Sequence, residues 1–399
     1  MKCESLAPTG KLVFAIAFAL GVSAVAIPCV QAQTFSVVHN FTGGSDGGGP
    51  LSGFVIDGAG NLYGTTNAGG ASNYGVVFKM NSSGVEAVLH SFNGGTDGAN
   101  PEGRLIRDKA GNLYGTTTAG GAFGAGTVFG VTSAGKEVVL HSFNGAAGGA
   151  DPEAGLAMDA SGNLYGTTTG GGTNGNGTVF KLVRPTAGGK WTEKVLYSFG
   201  TGTDGTIPVA GVTLDSAGNV YGTTSAGGTY GYGTVFELTP SGTGWAENIL
   251  HNFQDGDDGA VPYAGLIYNK GNFYGAATEG GSGGGGTVFE LTPSSGGWTF
   301  TVLYSQAGWG ISGSFRNLIM SAAGDLYGTT HCDGVNNAGT VYELTPASGS
   351  WTYISLYVFT GGSDGLYSFS NLVFEQGKLY GTTNEGGADN YGVVFEVTP

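Results

Sequence analysis

The sequence predicts an all-β protein: a seven-bladed β-propeller of four-stranded blades, closed by pairing the mature N-terminal strand with the C-terminal blade. Three observations predict it. The phrase "GNLYGTT" begins at Gly60, Gly111 and Gly162, and its variants make seven copies. Their tyrosines are Tyr63, Tyr114, Tyr165, Tyr221, Tyr274, Tyr327 and Tyr380, spaced 51, 51, 56, 53, 53 and 53 residues apart. A fixed period of this length marks an array of like supersecondary units. Each period holds four short runs of strand type and no 3.6-residue helical pattern. The two ends of the chain carry complementary fractions of one unit.

The elements follow in order. Lys2 and Lys11 precede an apolar run from Leu12 to Ala26, and Val30-Gln31-Ala32 reads as a small-x-small cleavage site. Residues 1–32 are therefore expected to be a secretory signal peptide. The 15 apolar residues fall short of the roughly 20 that a spanning helix needs. Pro28 stands where a lipoprotein signal has a small residue, which disfavours a lipid anchor on Cys29. Residues 33–399 are read as one propeller domain, secreted or held in the periplasm or cell envelope, and monomeric. With the leader removed, Cys332 has no cysteine to pair with, so packing must supply stability.

The remaining charge is (14 − 2) basic minus (29 − 1) acidic residues, or −16. Nucleic acid and anionic lipid need a basic face and are excluded as partners. Glycine, at 81 of 399 residues, would suit disorder, but an aromatic fraction of 12% supplies enough apolar surface to fold.

Within the first unit, "LSGFVID" is a short apolar run and "GAG" turns it into "NLYGTT", rich in types that fit a pleated surface. The loop "NAGGASNYG" leads to "VVFKM", and "NSSG" turns the chain into "VEAVLHSF". The last unit stops at "VVFEVTP" without a fourth strand, while the mature chain begins "TFSVVHNF", a fourth strand with no unit before it. Pairing residues 34–41 with residues 392–397 closes a ring and leaves no open edge. The repeated tyrosines are expected to fill the wedges between blades, with the following glycine relieving crowding. The alternative is a row of ligand-stacking rings.

The unit GNLYGTTxxGGxxxxGTVFxLTPxG, followed by VLHSF and GGxDGxxP, resembles the GloVer (Gloeo_Verruco) tandem-repeat family over nearly all of the mature chain. That resemblance implies an exported bacterial protein, often with a C-terminal surface-anchoring segment. This chain departs from the pattern by ending at Pro399 on a blade strand. The resemblance implies no enzymatic activity, so it carries over no catalytic residue. The Gly-Gly after the second strand and the Trp after the third also resemble kelch repeats.

In a propeller, the loops joining strands 2–3 and those joining blades emerge on one face. Here that face collects "SAGGTYGYG" and "NEGGADNYG", whose Tyr230, Tyr232 and Tyr391 are candidate ligand-binding residues, with Trp309. It also collects Asp-Gly pairs at Asp46, Asp97, Asp204, Asp258 and Asp364. These suit turns, in which Asp bonds backbone amides and Gly takes a positive φ. "DGDDG" adds a weaker calcium candidate in Asp255, Asp257 and Asp258, since calcium takes six to eight oxygens. His39, His90, His141 and His251 recur at one fourth-strand position and are scaffold. His331 and Asp333 flank Cys332 where most units have Gly-Gly, in a unit that lost its Asp-Gly loop and gained Trp309 and Arg316. Such clustered irregularity marks a candidate catalytic set of His331, Asp333, Arg316 and Arg104, the last near the channel axis. Repeat drift is the favoured account of the tripeptide, since no nucleophile–base–orienter set can be read from it. The leading function is a binding or scaffold module for carbohydrate or another cell-envelope component, with no cofactor. The alternative is a lyase or hydrolase acting on a saccharide or lactone.

Overall fold

The computed structural model describes residues 33–186, 189–200, 203–307 and 318–399. The leader expected at 1–32 lies outside them. Among the described residues there are seven four-stranded antiparallel sheets, and no helix. Blade 1 runs Val55–Ile56, Leu62–Thr66, Val76–Met80 and Glu86–Ser91; blade 2 runs Ile106–Arg107, Leu113–Thr117, Thr127–Val131 and Glu137–Ser142. Blades 3 to 6 repeat the pattern and end in the outer strands Thr192–Ser198, Gly244–Asn252, Gly297–Ala307 and Ser350–Val358. Blade 7 takes Val373–Glu375, Lys378–Thr383 and Val393–Thr398 from the end of the chain and Thr34–Asn40 from its beginning. Thr34 faces Thr398 and Asn40 faces Val393, so the expected closure forms.

Seven apolar clusters hold the ring together, each fed by two consecutive blades. Second and third strands are buried on both faces because a neighbour covers each side, whereas outer strands such as Gly244–Asn252 alternate between exposed and half-buried. The recurring phrase divides its labour accordingly. The tyrosine ring enters the wedge, as with Tyr114 and Tyr165, and its hydroxyl reaches the rim to donate to Asp108 at 3.1 Å and Asp159 at 3.1 Å. A Cβ on Gly64, which follows the first tyrosine, would come within 2.9 Å of the Phe78 ring. The first threonine bonds the next blade: Thr116 donates to the Ala154 carbonyl at 2.8 Å and Thr167 to that of Ala210 at 2.9 Å. The second threonine stays within its blade, pairing Thr117 with Thr127 at 2.9 Å.

The innermost strands are shorter than the run "LSGFVID" suggests, since only Val55–Ile56 pair in blade 1. Near the axis, neighbouring backbones converge until they exclude side chains. A Cβ on Gly53 would lie 1.6 Å from the Asn371 carbonyl oxygen. The outer strands hide a second irregularity. In every blade, one fourth-strand residue has no partner across the ladder: Val38, Leu89, Leu140, Leu196, Leu250, Leu303 or Leu356. This bulge reverses the alternation of faces along the strand. Residues four apart, such as Glu86 and His90, then address opposite neighbours instead of the same one.

Candidate functional site

Three groups of polar or aromatic side chains gather where the strand 2–3 loops and the blade connections emerge. The outermost group is aromatic. Tyr74, Phe123, Tyr230, Tyr232 and Tyr391 sit on the strand 2–3 loops of blades 1, 2, 4 and 7, and are 39% to 67% exposed. The Tyr391 ring packs against Gly43 and the Tyr74 ring against Gly94, so glycine-rich connections act as flat seats for them. One face of each of these two rings is supported while much of it stays wet.

The second group lies between blades at the outer strands. His90 Nε2 stands 3.3 Å from Asp97, His251 Nε2 stands 2.9 Å from Asp258, and Tyr197 donates to Asp204 at 3.0 Å. Each aspartate also caps its own turn by accepting from a backbone amide, as from Asn93 to Asp97 at 3.1 Å. Burial lowers the pKa of His39, His90, His141 and His251 despite neighbouring carboxylates, so these rings are neutral at neutral pH. The bulge brings a glutamate from the next blade to several of these pairs. Tyr197 donates to Glu247 at 3.1 Å, and His141 stands 3.4 Å from Glu193 where the intervening connection has Gly148 in place of aspartate. Burial raises the pKa of Glu86, Glu137, Glu193 and Glu247 to about 7, helped at three of them by the nearby aspartate. One oxygen of each of the four is buried without a hydrogen-bond partner.

The third group surrounds the mouth of the central channel, a cavity of about 440 Å³. Glu102 and Glu153 each follow a proline and enter this lining from consecutive blade connections. Asn67 donates to Glu102 at 3.0 Å and Thr169 to Glu153 at 3.2 Å. Burial, and then the charge of Glu153, raise the Glu102 carboxyl to about 7. Arg104 replaces the axial glycine of other blades and lines the same cavity. Its Nε donates to the Phe54 carbonyl at 2.8 Å, which aims the guanidinium without neutralising it.

The sequence candidates fall in different places. Arg104 lines the channel cavity, as do two glutamates not expected from the sequence. The signal for them was the dipeptide Pro-Glu at the same position of two successive repeats. His331 packs between Tyr367 and Phe369, with ring centroids at 4.5 and 4.2 Å, towards blade 7. Asp333 instead accepts from Gln306 Nε2 at 2.9 Å, towards blade 5, and burial, then the Asp333 charge, raise the pKa of Tyr304. Asp333 occupies the place of a glycine that elsewhere lies against the Asp-Gly turn: a Cβ on Gly69 would be 2.5 Å from Gly47. It thereby faces Tyr304 much as Asp97 faces His90. Asp258 serves His251 and the Gln254 amide, at 3.2 Å, while Asp255 takes a positive φ of 58°. Asp257 is exposed. No three His, Cys, Asp or Glu side chains converge as metal ligands among the described residues. Tyr230, Tyr232 and Tyr391 belong to the aromatic group. Trp309 and Arg316 lie outside the described residues.

The model of the Gloeobacter/Verrucomicrobia repeat matches residues 27–217 and 211–399, and the chain belongs to that family. No curated protein matches it. Among solved structures, it is similar to the extracellular domain of a "putative hybrid two component system" from B. thetaiotaomicron. Identity there is 11% and the TM-score 0.58, over 91% of this chain and 39% of that one. It is also similar to a "putative 6-phosphogluconolactonase" from Bacteroides uniformis, at 15% identity and TM-score 0.50, over 80% of this chain and 88% of that one. A gluconolactonase from Xanthomonas campestris follows at 16% identity and TM-score 0.45, covering 75% and 85%. At such identities the likeness is one of fold.

Proposed function

For this member of the Gloeobacter/Verrucomicrobia repeat family we propose an exported binding module that takes carbohydrate of the cell envelope on its loop face. The observation that carries this reading is the set of half-exposed aromatic rings on four strand 2–3 loops, with Tyr74 and Tyr391 seated on glycine. An aromatic face stacks on the C–H face of a sugar ring, and amide and carboxylate groups around it accept hydroxyl hydrogens. Rings repeated around one face suit a polymer, because weak contacts to several loops add through effective concentration. The expected leader at residues 1–32 and the acidic charge support an extracytoplasmic place and argue against nucleic acid as partner.

The test is a glycan-array screen followed by titration of the best polysaccharide against wild type and the double variant Tyr230→Ala/Tyr232→Ala. Both side chains are exposed, so folding is expected to persist while affinity falls by about tenfold or more. Equal affinity of the two proteins for every glycan overturns the reading. The Glu102–Glu153 pair favours a second reading, a hydrolase or lyase working in the channel, because one of two neighbouring carboxyls titrates near 7. Release of product from a saccharide or lactone, lost in Glu102→Gln, supports it; absence of turnover overturns it.

A further inference from the structure

We infer that the channel mouth is a separate binding site for a small polyhydroxylated carboxylate, a sugar acid, whose carboxylate is held by Arg104 and whose hydroxyls meet Glu102 and Glu153. This goes beyond the loop-face reading and does not depend on it.

A cavity of about 440 Å³ lies within the range of small-ligand pockets. Six of the seven blades carry glycine or asparagine at the axial position, and blade 2 carries Arg104. A guanidinium is costly to place deep in a channel unless it meets an anion or a set of acceptors. Its Nε is satisfied by the Phe54 carbonyl, and no carboxylate of a described residue stands within salt-bridge distance of it. The terminal nitrogens thus remain a planar fork with two parallel donors, the geometry that a carboxylate fits. Burial lowers the Arg104 pKa without discharging it at neutral pH.

The acids on the same wall define the rest of the ligand. Paired carboxyls with fixed donors from Asn67 and Thr169 present oxygens suited to hydroxyl hydrogens. A guanidinium on the same wall opposes a bare cation, and ionised glutamates oppose a polyanion. One carboxylate on a neutral hydroxylated body satisfies both constraints. Tyr263 and Leu51 add apolar surface for the C–H groups of that body.

Because Glu102 is protonated below about pH 7, anion binding is favoured there and weakens as Glu102 ionises above it. Among the described residues, the charged group that acts on it is Glu153 from the next connection, with the amide of Asn67 from blade 1, while Arg104 lines the same cavity.

The experiment is calorimetric titration of the intact protein with galacturonate and gluconate, and with glucose as the neutral control, at pH 6 and pH 8. The acids are expected to bind at least about tenfold more tightly than glucose, and more tightly at pH 6 than at pH 8. Arg104→Met is expected to lose about ten- to a hundredfold of acid affinity. Glu102→Gln is expected to retain binding and to lose the pH dependence, which keeps the test decisive even if Arg104→Met folds poorly. Tyr230→Ala/Tyr232→Ala is expected to leave acid binding unchanged, which separates this site from the loop face. Equal binding of glucose, no acid binding up to about 10 mM, or a pH dependence unaltered in Glu102→Gln overturns the inference.

Discussion

Two arcs of the ring solve the same packing problem with different chemistry. At junctions 7/1 and 1/2 the outer strand of the following blade brings Glu86 and Glu137 near Asp46 and Asp97, the partners of His39 and His90, and at 2/3 and 3/4 it presents Glu193 to His141 and Glu247 to Tyr197. At junctions 4/5, 5/6 and 6/7 the same strand position holds Phe300, Tyr353 and Phe35. These rings stack on His251, Tyr304 and Tyr357 with centroids 3.8, 4.9 and 3.7 Å apart. The wedge tyrosines, bulges and threonine bonds are common to both arcs. What differs is whether the outer seam carries a buried carboxyl or an aromatic ring. A repeat protein can therefore keep one geometry while confining its raised seam carboxyls to one arc of its circumference.

The strongest challenge to the common geometry is removal of a wedge. Tyr114→Ala and Tyr327→Ala, one in each arc, should each cost about 3–5 kcal/mol by leaving a cavity between blades. A near-zero cost in either arc, measured by denaturant unfolding, would break the claim that the arcs share one core. Phe300→Ala is expected to cost about 2–4 kcal/mol, because it removes contacts to His251 and Phe289, and that cost should be smaller at pH 5 than at pH 8, since uncovering His251 eases its protonation.

Converting an acidic seam into an aromatic one is the sharper test. Glu137→Phe should stack on His90 and stabilise the protein by about 1 kcal/mol at pH 8, with less gain at pH 5. Substituting Gln for Glu86, Glu137, Glu193 and Glu247 together isolates the titration. Their folded pKa, about 7, lies above the roughly 4.3 of an unfolded glutamate. The native state thus holds more protons between these values, and wild-type stability falls as pH rises through that window. The four histidines act in the opposite sense, losing stability as pH drops below about 6.5, and they are present in both proteins. The melting temperature of the glutamine variant minus that of wild type should therefore grow from pH 5 to pH 7 and then level off. A constant difference would show that the seams do not titrate as a group.

The smallest effect concerns the turn before Pro208, where β-branched Ile207 takes a φ of 57°. Ile207→Asn suits that conformation and should stabilise by about 0.5–1 kcal/mol at any pH. No gain by thermal melting would place the strain elsewhere.

The ring, the closing strand and the buried tyrosines were legible because each repeats with the period of the fold. The brevity of the inner strands was not, since the approach of Gly53 to Asn371 joins residues more than 300 positions apart. The seam glutamates were written at the same place in four successive repeats, yet the bulge that turns them towards the preceding blade leaves no mark in composition. Glu102 and Glu153 looked like ordinary residues after proline, because their meeting in the channel depends on how the blades fan around the axis. The blade 6 tripeptide drew attention for a reason the structure makes specific. Asp333 stands where other repeats have glycine and turns towards blade 5, while His331 turns the other way.

Thr34 and Thr398, joined through their side chains at 3.1 Å, are 364 residues apart in sequence. The Thr34–Asn40 strand therefore has no partner until Val393–Thr398 is made. At about 5–20 residues per second that is a wait of about 20 to 70 s, with an unpaired β edge held open throughout. The separation of the two closing strands sets a clock on the biogenesis of the ring.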